Sequence, residues 1–166
     1  LLATSNGGSN WSVLSSPAGT GDGRNNCLQV SLPDIWFGTG QGTVWHSTNA
    51  GINWTSAPTG IATQILGIRF NSSTVGLCGG ASLMRTTNGG ANWTTITAPG
   101  TGNISGIDGA GSDYWYVRGT GIYRSTDAGL TFTSVHTAVG TGNDIKITTG
   151  ANGCLTGWEV ASAGNI

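Results

Sequence analysis

The sequence predicts an all-β fold, a β-propeller built from four-stranded blades. Three observations predict it: a composition rich in turn and strand residues, an eight-residue tract that recurs about every 40 residues, and short runs of alternating polarity between its copies. Four short strands in each unit of about 40 residues are typical of a propeller blade.

The composition favours strands and turns over helices. Only 8% of the 166 residues are charged, and 30 of them are Gly. A typical soluble domain is about 25% charged, so polarity here comes mainly from Ser, Thr and Asn, which suit turns and pleated strands. The net charge is −1 and the six basic residues are scattered. We therefore predict no nucleic-acid partner, and no apolar run is long enough to predict a membrane span.

The recurring tract reads TSNGGSNW at 4–11, STNAGINW at 47–54, TTNGGANW at 86–93 and STDAGLTF at 125–132. We call each copy a box. The third residues lie 43, 39 and 39 positions apart: Asn6, Asn49, Asn88 and Asp127. An Asn or Asp side chain can bond backbone N–H groups just ahead of it and so fix a turn. Each box is therefore predicted to be the hairpin turn between the third and fourth strands of a blade.

Two further box positions carry structural predictions. A glycine, expected where φ must be positive, holds the fifth position: Gly8, Gly51, Gly90 and Gly129. An aromatic residue, expected to be largely buried at the start of the fourth strand, holds the eighth: Trp11, Trp54, Trp93 and Phe132.

The strand runs divide a single domain, 1–166, into blade units. Intact units are predicted at about 23–60, 61–100 and 101–140, with the second half of a blade at 1–22 and the first half at 141–166. The two halves could close a four-bladed ring, or the chain could be an arc of a six- to eight-bladed ring or part of a longer array. Neither terminus shows a cap, and Leu1 is not an initiating Met, so we expect a trimmed chain belonging to a larger parent.

The boxes resemble the Asp-box, or BNR, repeat, whose pattern is roughly Ser/Thr-x-Asp-x-Gly-x-Thr-Trp. That repeat occurs in sialidases, xyloglucan-active glycosidases, sortilin-type receptors and photosystem II assembly factors of the Ycf48 type. The phrase Thr-Thr-Asn-Gly-Gly-x-x-Trp after a third strand is most similar to Ycf48-like and secreted bacterial propellers. The resemblance implies a secreted, cell-surface or periplasmic bacterial protein. Three boxes carry Asn for Asp, which keeps the turn chemistry but loses charge, so we predict no bound metal.

Candidate ligand-binding residues fall on the first and second strands of the units. Arg69, Asp108 and Arg118 are predicted near the axis or the top of the ring. Trp36, Trp115 and Trp158 are predicted on second strands, as core between blades or, alternatively, as an aromatic platform for a sugar ring.

No catalytic residue and no cofactor are predicted. A glycosidase needs two carboxylates flanking the scissile bond, and the acidic residues are few and scattered. His46 and His136 are expected to be exposed strand residues. Cys27, Cys78 and Cys154 lack metal-ligand spacing and are expected to be buried thiols, with one disulfide as the alternative.

The sequence thus favours a non-catalytic extracellular binding or scaffold propeller. Its expected partner is a protein or a glycan, with self-assembly or further blades also open. The alternative is a fragment of an Asp-box glycoside hydrolase of the xyloglucanase or sialidase type.

Overall fold

The computed structural model describes residues 1–14, 27–137 and 140–162. These residues form sixteen strands: β1 (Leu2–Ala3), β2 (Ser12–Val13), β3 (Leu28–Ser31), β4 (Asp34–Gly38), β5 (Thr43–Ser47), β6 (Thr55–Pro58), β7 (Gly67–Phe70), β8 (Gly76–Gly79), β9 (Leu83–Thr86), β10 (Thr94–Ile96), β11 (Ile104–Ala110), β12 (Asp113–Arg118), β13 (Gly121–Ser125), β14 (Thr133–Thr137), β15 (Gly142–Thr149) and β16 (Leu155–Ala161). Within the described ranges no helix is long and apolar enough to cross a membrane.

Twelve of the strands form three antiparallel four-stranded meanders. We call them blade I (β3–β6), blade II (β7–β10) and blade III (β11–β14). The first strands of successive blades, β3, β7, β11 and β15, lie next to one another along the inner side of the arc. The predicted all-β propeller is confirmed, with the boxes as the turns between third and fourth strands.

The remaining four strands form two hairpins at opposite ends of the arc. β1 pairs with β2, and we call this pair the outer hairpin because it carries a box, as third and fourth strands do. β15 pairs with β16, and we call this pair the inner hairpin because it follows blade III as a first and second strand. In the described part of the chain no ladder joins the two hairpins.

The core lies between the blades. Trp36, Phe70 and Cys78 pack between blades I and II. Leu77 and Tyr116 belong to the cluster between blades II and III, and a third cluster joins blade III to the inner hairpin. Successive side chains on a strand point to opposite faces, and both faces of a second strand meet a neighbouring sheet. For this reason Tyr114–Val117 is buried without interruption.

Three expectations need correction. The prediction that Trp11 is largely buried is wrong: its side chain is 60% exposed, because no strand of the described ranges lies on the inner side of its hairpin. Trp54, Trp93 and Phe132 are half-buried. Cys154 lies exposed in the turn before β16, whereas Cys27 and Cys78 are buried. His46 is half-buried rather than exposed, because it stacks on Trp36.

Candidate functional site

Each box is held by the same three side-chain hydrogen bonds. In blade I, the hydroxyl of Ser47 accepts the N–H of Gly51 at 2.8 Å and donates to Oδ1 of Asn49 at 3.0 Å. Oδ1 of Asn49 in turn accepts the N–H of Asn53 at 2.8 Å. The pattern repeats in the outer hairpin and in blades II and III. The fifth-position glycines have φ of 81–94°, which L side chains rarely adopt.

The fourth box carries a carboxylate instead of an amide. Side-chain hydrogen bonds from Ser125 and Thr131, and then the backbone N–H of Thr131, hold the pKa of Asp127 well below its usual range. These bonds favour the charged form of the carboxyl. The first-position hydroxyl is the part of the network that sequence reasoning missed, although Ser or Thr at 4, 47, 86 and 125 was a visible signal.

One position of the first strand binds each blade to the next. The amide of Gln29 donates to the carbonyl of Phe70 at 2.6 Å and accepts its N–H. Arg69 donates to the carbonyl of Gly109 at 2.6 Å and lies 3.0 Å from Asp108. Asp108 accepts the N–H of Ile147 at 2.8 Å. Each partner, Phe70, Gly109 or Ile147, is the residue that follows Arg69, Asp108 or Lys146 in the next first strand. Equivalent positions of successive first strands are therefore held by Gln29, Arg69, Asp108 and Lys146.

The equivalent first-strand residues line a pocket of about 270 Å³ on the inner side of the arc. Arg69 and Asp108 therefore lie near the axis, with much of their hydrogen-bonding capacity used between blades. Arg118 is elsewhere: it donates to the carbonyls of Ala98 and Gly102, at 2.8 Å each, in the loop that links blades II and III.

The three candidate tryptophans hold one equivalent position of the second strand. Trp36 pairs with Gln29, Trp115 with Asp108 and Trp158 with Lys146 in the strand registers. Trp36 is buried against Phe70, and its indole N–H donates to the carbonyl of Gly89 in the box of the next blade at 2.9 Å. Trp115 is buried under the guanidinium of Arg124, 5.1 Å from the ring centroid.

Trp158 is exposed, because the inner hairpin has no blade after it in the structure. It borders a groove of about 330 Å³ between the outer half of blade III and β16. Ile122, Val135 and Ile147 contribute apolar surface to this groove, and His136 and Glu159 contribute polar groups. Oε1 of Glu159 is buried without a hydrogen-bond partner.

Blade I shows what normally occupies such a place. There β5 pairs with the outer edge of β4, with Trp36 opposite His46, and β6 follows. The inner hairpin has no third strand in the described ranges, so the outer edge of β16 presents unpaired backbone groups beside an apolar groove. This edge and the groove that Trp158 borders, taken together, are the candidate functional site, which we call the β16 groove.

The acidic residues are mostly engaged. Asp34 pairs with His46 at 2.7 Å, and Asp113 pairs with Arg124 at 2.5 Å. The axial pocket contains one carboxylate, that of Asp108, and the β16 groove contains one, that of Glu159. Within the described residues no group of three or more His, Cys, Asp or Glu could hold a metal ion. Asp22 lies outside the described residues.

Comparisons with known proteins show the fold alone. No family model and no curated protein matches the chain. The designed protein Ika4 aligns with a TM-score of 0.61 at 10% identity, over 82% of this chain and 91% of that one. YCF48 bound to D1 peptide aligns with a TM-score of 0.56 at 20% identity, over 72% of this chain and 42% of that one.

An ancestral GH74 enzyme has the same architecture. It aligns with a TM-score of 0.59 at 15% identity, over 83% of this chain and 22% of its own. The chain thus spans less than half of the YCF48 structure and less than a quarter of this enzyme. The three similar structures include a designed protein, a peptide-bound protein and an enzyme, so the shared fold is compatible with different functions.

Proposed function

We propose that the chain is a non-catalytic binding propeller that takes up an extended polypeptide strand along the free edge of β16. The observation that carries the proposal is the β16 groove: an unpaired strand edge beside apolar surface, at a place that a third strand occupies in blades I, II and III. Addition of a strand to an exposed edge gains main-chain hydrogen bonds, and the neighbouring groove supplies side-chain specificity.

The polar groups of the groove fit a peptide. His136 and Glu159 line the groove and offer polar groups to an incoming strand. Trp158 lies on the face of β16 that points away from blade III, and beside the free edge it offers a large apolar surface with an indole N–H, the combination enriched where proteins bind one another. The exposed ring also suits stacking of a sugar, so a glycan is the second ligand class to test.

The proposed cellular location rests on the chemistry of the boxes. We infer that the four boxes are Asp-box repeats, because each combines a Ser/Thr hydroxyl, an Asn or Asp acceptor, a positive-φ glycine and an aromatic residue in one hydrogen-bonded turn. The proposed location is the cell surface, the periplasm or the extracellular space of a bacterium. Peptide binding is named for one YCF48 structure with this fold, which makes a peptide a ligand class to test here.

A peptide-binding experiment tests the proposal. Peptides selected from a random phage-displayed dodecapeptide library should protect the amides of Leu155–Ala161 from hydrogen exchange. The Trp158→Ala variant should weaken binding about tenfold or more, since large aromatic residues dominate binding energies. Ile52→Ala removes an exposed apolar residue that does not line the groove and should change affinity less than twofold.

Two results would contradict this function. Protection confined to residues outside β16 would place the peptide site elsewhere. Turnover of xyloglucan or of sialosides would favour the glycoside hydrolase, for which a pair of carboxylates about 5–10 Å apart is required. The axial pocket and the β16 groove each contain one carboxylate, which supports the non-catalytic proposal.

A further inference from the structure

We propose that the strand bound by β16 is β1 of a second copy of this chain, followed by its box and β2. The inner hairpin of one copy and the outer hairpin of the other then form one composite four-stranded blade. This inference rests on the proposed function, because it names the partner of the same β16 groove.

The two ends of the arc expose faces that match residue by residue. Trp158 and Val160, on β16, are equivalent to Trp115 and Val117 of blade III by the strand registers. The blade III residues are 8% and 0% exposed because the inner hairpin covers them, whereas Trp158 and Val160 are 69% and 64% exposed. Within the described residues, β16 therefore presents an inter-blade face without its partner.

The opposite end carries the complementary face. Leu28 and Val30, on β3, are equivalent to Ile68 and Phe70 of blade II. Ile68 and Phe70 are 4% and 3% exposed because they pack on blade I, whereas Leu28 and Val30 are 53% and 55% exposed. A second copy placed head to tail would bury Trp158 and Val160 of one chain on Leu28 and Val30 of the other.

The outer hairpin is built as the missing half of the composite blade. In its register, Ala3 lies opposite Ser12 and Leu2 opposite Val13. The same two pairs in blade I are His46 with Thr55 and Trp45 with Ser56, so Ala3 is equivalent to His46 and Leu2 to Trp45. Leu14, which corresponds to Ala57, lies close to Gly51 of blade I. Ala57 and Gly90 likewise line one pocket between blades I and II. The outer hairpin thus already has the position of the outer half of a blade that precedes blade I.

The internal blades specify the contacts of the composite one. Because Trp36 lies opposite His46 and Phe37 opposite Trp45, β16 should meet β1 with Trp158 opposite Ala3 and Glu159 opposite Leu2. The indole N–H of Trp36 donates to the carbonyl of Gly89, so that of Trp158 should donate to the carbonyl of Ala50 in the second copy.

A second copy satisfies both ends at once. In this structure the outer hairpin contacts the box of blade I through Leu14, and no described ladder joins it to β16 of the same chain. Two copies related by a twofold axis make the same head-to-tail contact twice, which pairs both strand edges and covers both apolar faces. Head-to-tail contacts that close in this way form a ring without free edges.

Cross-linking between differently tagged chains tests the partner directly. In a Cys154→Ser background, a tagged chain carries Leu2→Cys and an untagged chain carries Glu159→Cys. Directly opposed residues of paired strands lie about 4.5–5.5 Å apart, within reach of a disulfide. We expect a disulfide between the two chains after oxidation of the mixture, and a native mass twice the 16.8 kDa of one chain. Val13→Cys in place of Leu2→Cys is the register control and should cross-link at least fivefold less.

Three outcomes separate the alternatives. A chain that carries both substitutions and forms only an internal disulfide would show closure by its own outer hairpin, and the inference would be wrong. A monomer without any disulfide, whose β16 amides are still protected by selected peptides, would also overturn it while the proposed function stands. A monomer that neither cross-links nor binds peptide would overturn both.

Discussion

At the residue scale, the box works through a hydroxyl, an acceptor and a glycine rather than through charge. The Ser or Thr hydroxyl accepts the glycine N–H and donates to Oδ1 of the Asn or Asp. The same Oδ1 also accepts the N–H of the residue four positions further on. An amide oxygen serves this geometry as well as a carboxylate oxygen does. This explains why Asn6, Asn49 and Asn88 can stand where the fourth box has Asp127.

The charge at Asp127 should make one box sensitive to acid. Its pKa is depressed in the folded chain, so its contribution to stability is complete above the ordinary Asp range near about 4 and is lost as the pH falls. Asp127→Asn reproduces the other three boxes and should reduce the decrease in melting temperature between pH 7 and pH 3. Circular dichroism melts at both pH values provide the measurement. Equal decreases in the two proteins would contradict the assignment.

A more buried box aromatic should contribute more to the free energy of unfolding than an exposed one. Trp93 packs half-buried against the core between blades I and II, whereas Trp11 is mostly exposed. Trp93→Ala should lower the free energy of unfolding by about 2–3 kcal/mol, below the roughly 3–5 kcal/mol of a fully buried aromatic. Trp11→Ala should cost about 1 kcal/mol or less under monomeric conditions. Urea denaturation of the two variants measures the difference, and equal costs would contradict the ranking.

The cysteines should differ in reactivity as they differ in burial. Burial, and then the neighbouring Cys27, raises the pKa of the Cys78 thiol well above its ordinary value. A thiol reacts as its thiolate, so Cys78 should react with an aromatic disulfide reagent only on unfolding. Cys154 is exposed and should react at once. Reaction traces of Cys154→Ser and the parent chain separate the fast component; an unchanged trace would contradict the prediction.

At the element scale, the first strands are joined by polar side chains that reach the next blade. Gln29 and Arg69 donate to the backbone of the following first strand, and Asp108 accepts from it. The second strands add the apolar contact, with Trp36 and Leu77 packing toward the next blade. Each interface therefore combines a buried aromatic or aliphatic residue with a directional hydrogen bond, which fixes the register between neighbouring sheets.

A matched pair of aspartates tests the importance of this inner connection. Asp108 is buried and pairs with Arg69, whereas Asp113 pairs with Arg124 at a partly exposed site. Asp108→Ala should destabilise the fold by about 2–3 kcal/mol, since it removes the acceptor of the Ile147 N–H and the carboxylate beside Arg69, whose guanidinium keeps its bond to the carbonyl of Gly109. Asp113→Ala should cost about 1 kcal/mol or less. Chemical denaturation of both variants checks the order, and a reversed order would refute the role of Asp108.

At the scale of the whole molecule, the uncovered ends govern association. If two copies form composite blades, the melting temperature should rise with protein concentration, because association stabilises the folded state by mass action. Trp158→Lys places a charge on the proposed interface and should abolish this dependence while the dilute monomer melts as before. Calorimetry over a hundredfold concentration range measures both effects. A concentration-independent melting temperature in the parent chain would contradict self-association.

Much of the local structure was determined by the sequence itself. The period of the boxes predicted the blades, and Gly51 or Gly129 could be placed in a turn with positive φ because that requirement depends on a few neighbouring residues. The apolar runs predicted strands, since both faces of a blade must be covered. Local chemistry and repetition were sufficient for these features.

Only the tertiary structure decided which of several equivalent residues are buried and what they contact. Trp36, Trp115 and Trp158 share one position, yet two are buried and one is exposed, because burial depends on whether a following blade is present. Trp11 is exposed and Trp54 is half-buried, because blade I has its first and second strands in the structure and the outer hairpin does not. Arg69 and Asp108 became contacts between blades because the curvature brings successive first strands together. A single strand encodes its own pattern of faces, but the surface that each face meets is set by the packing of sheets distant in sequence.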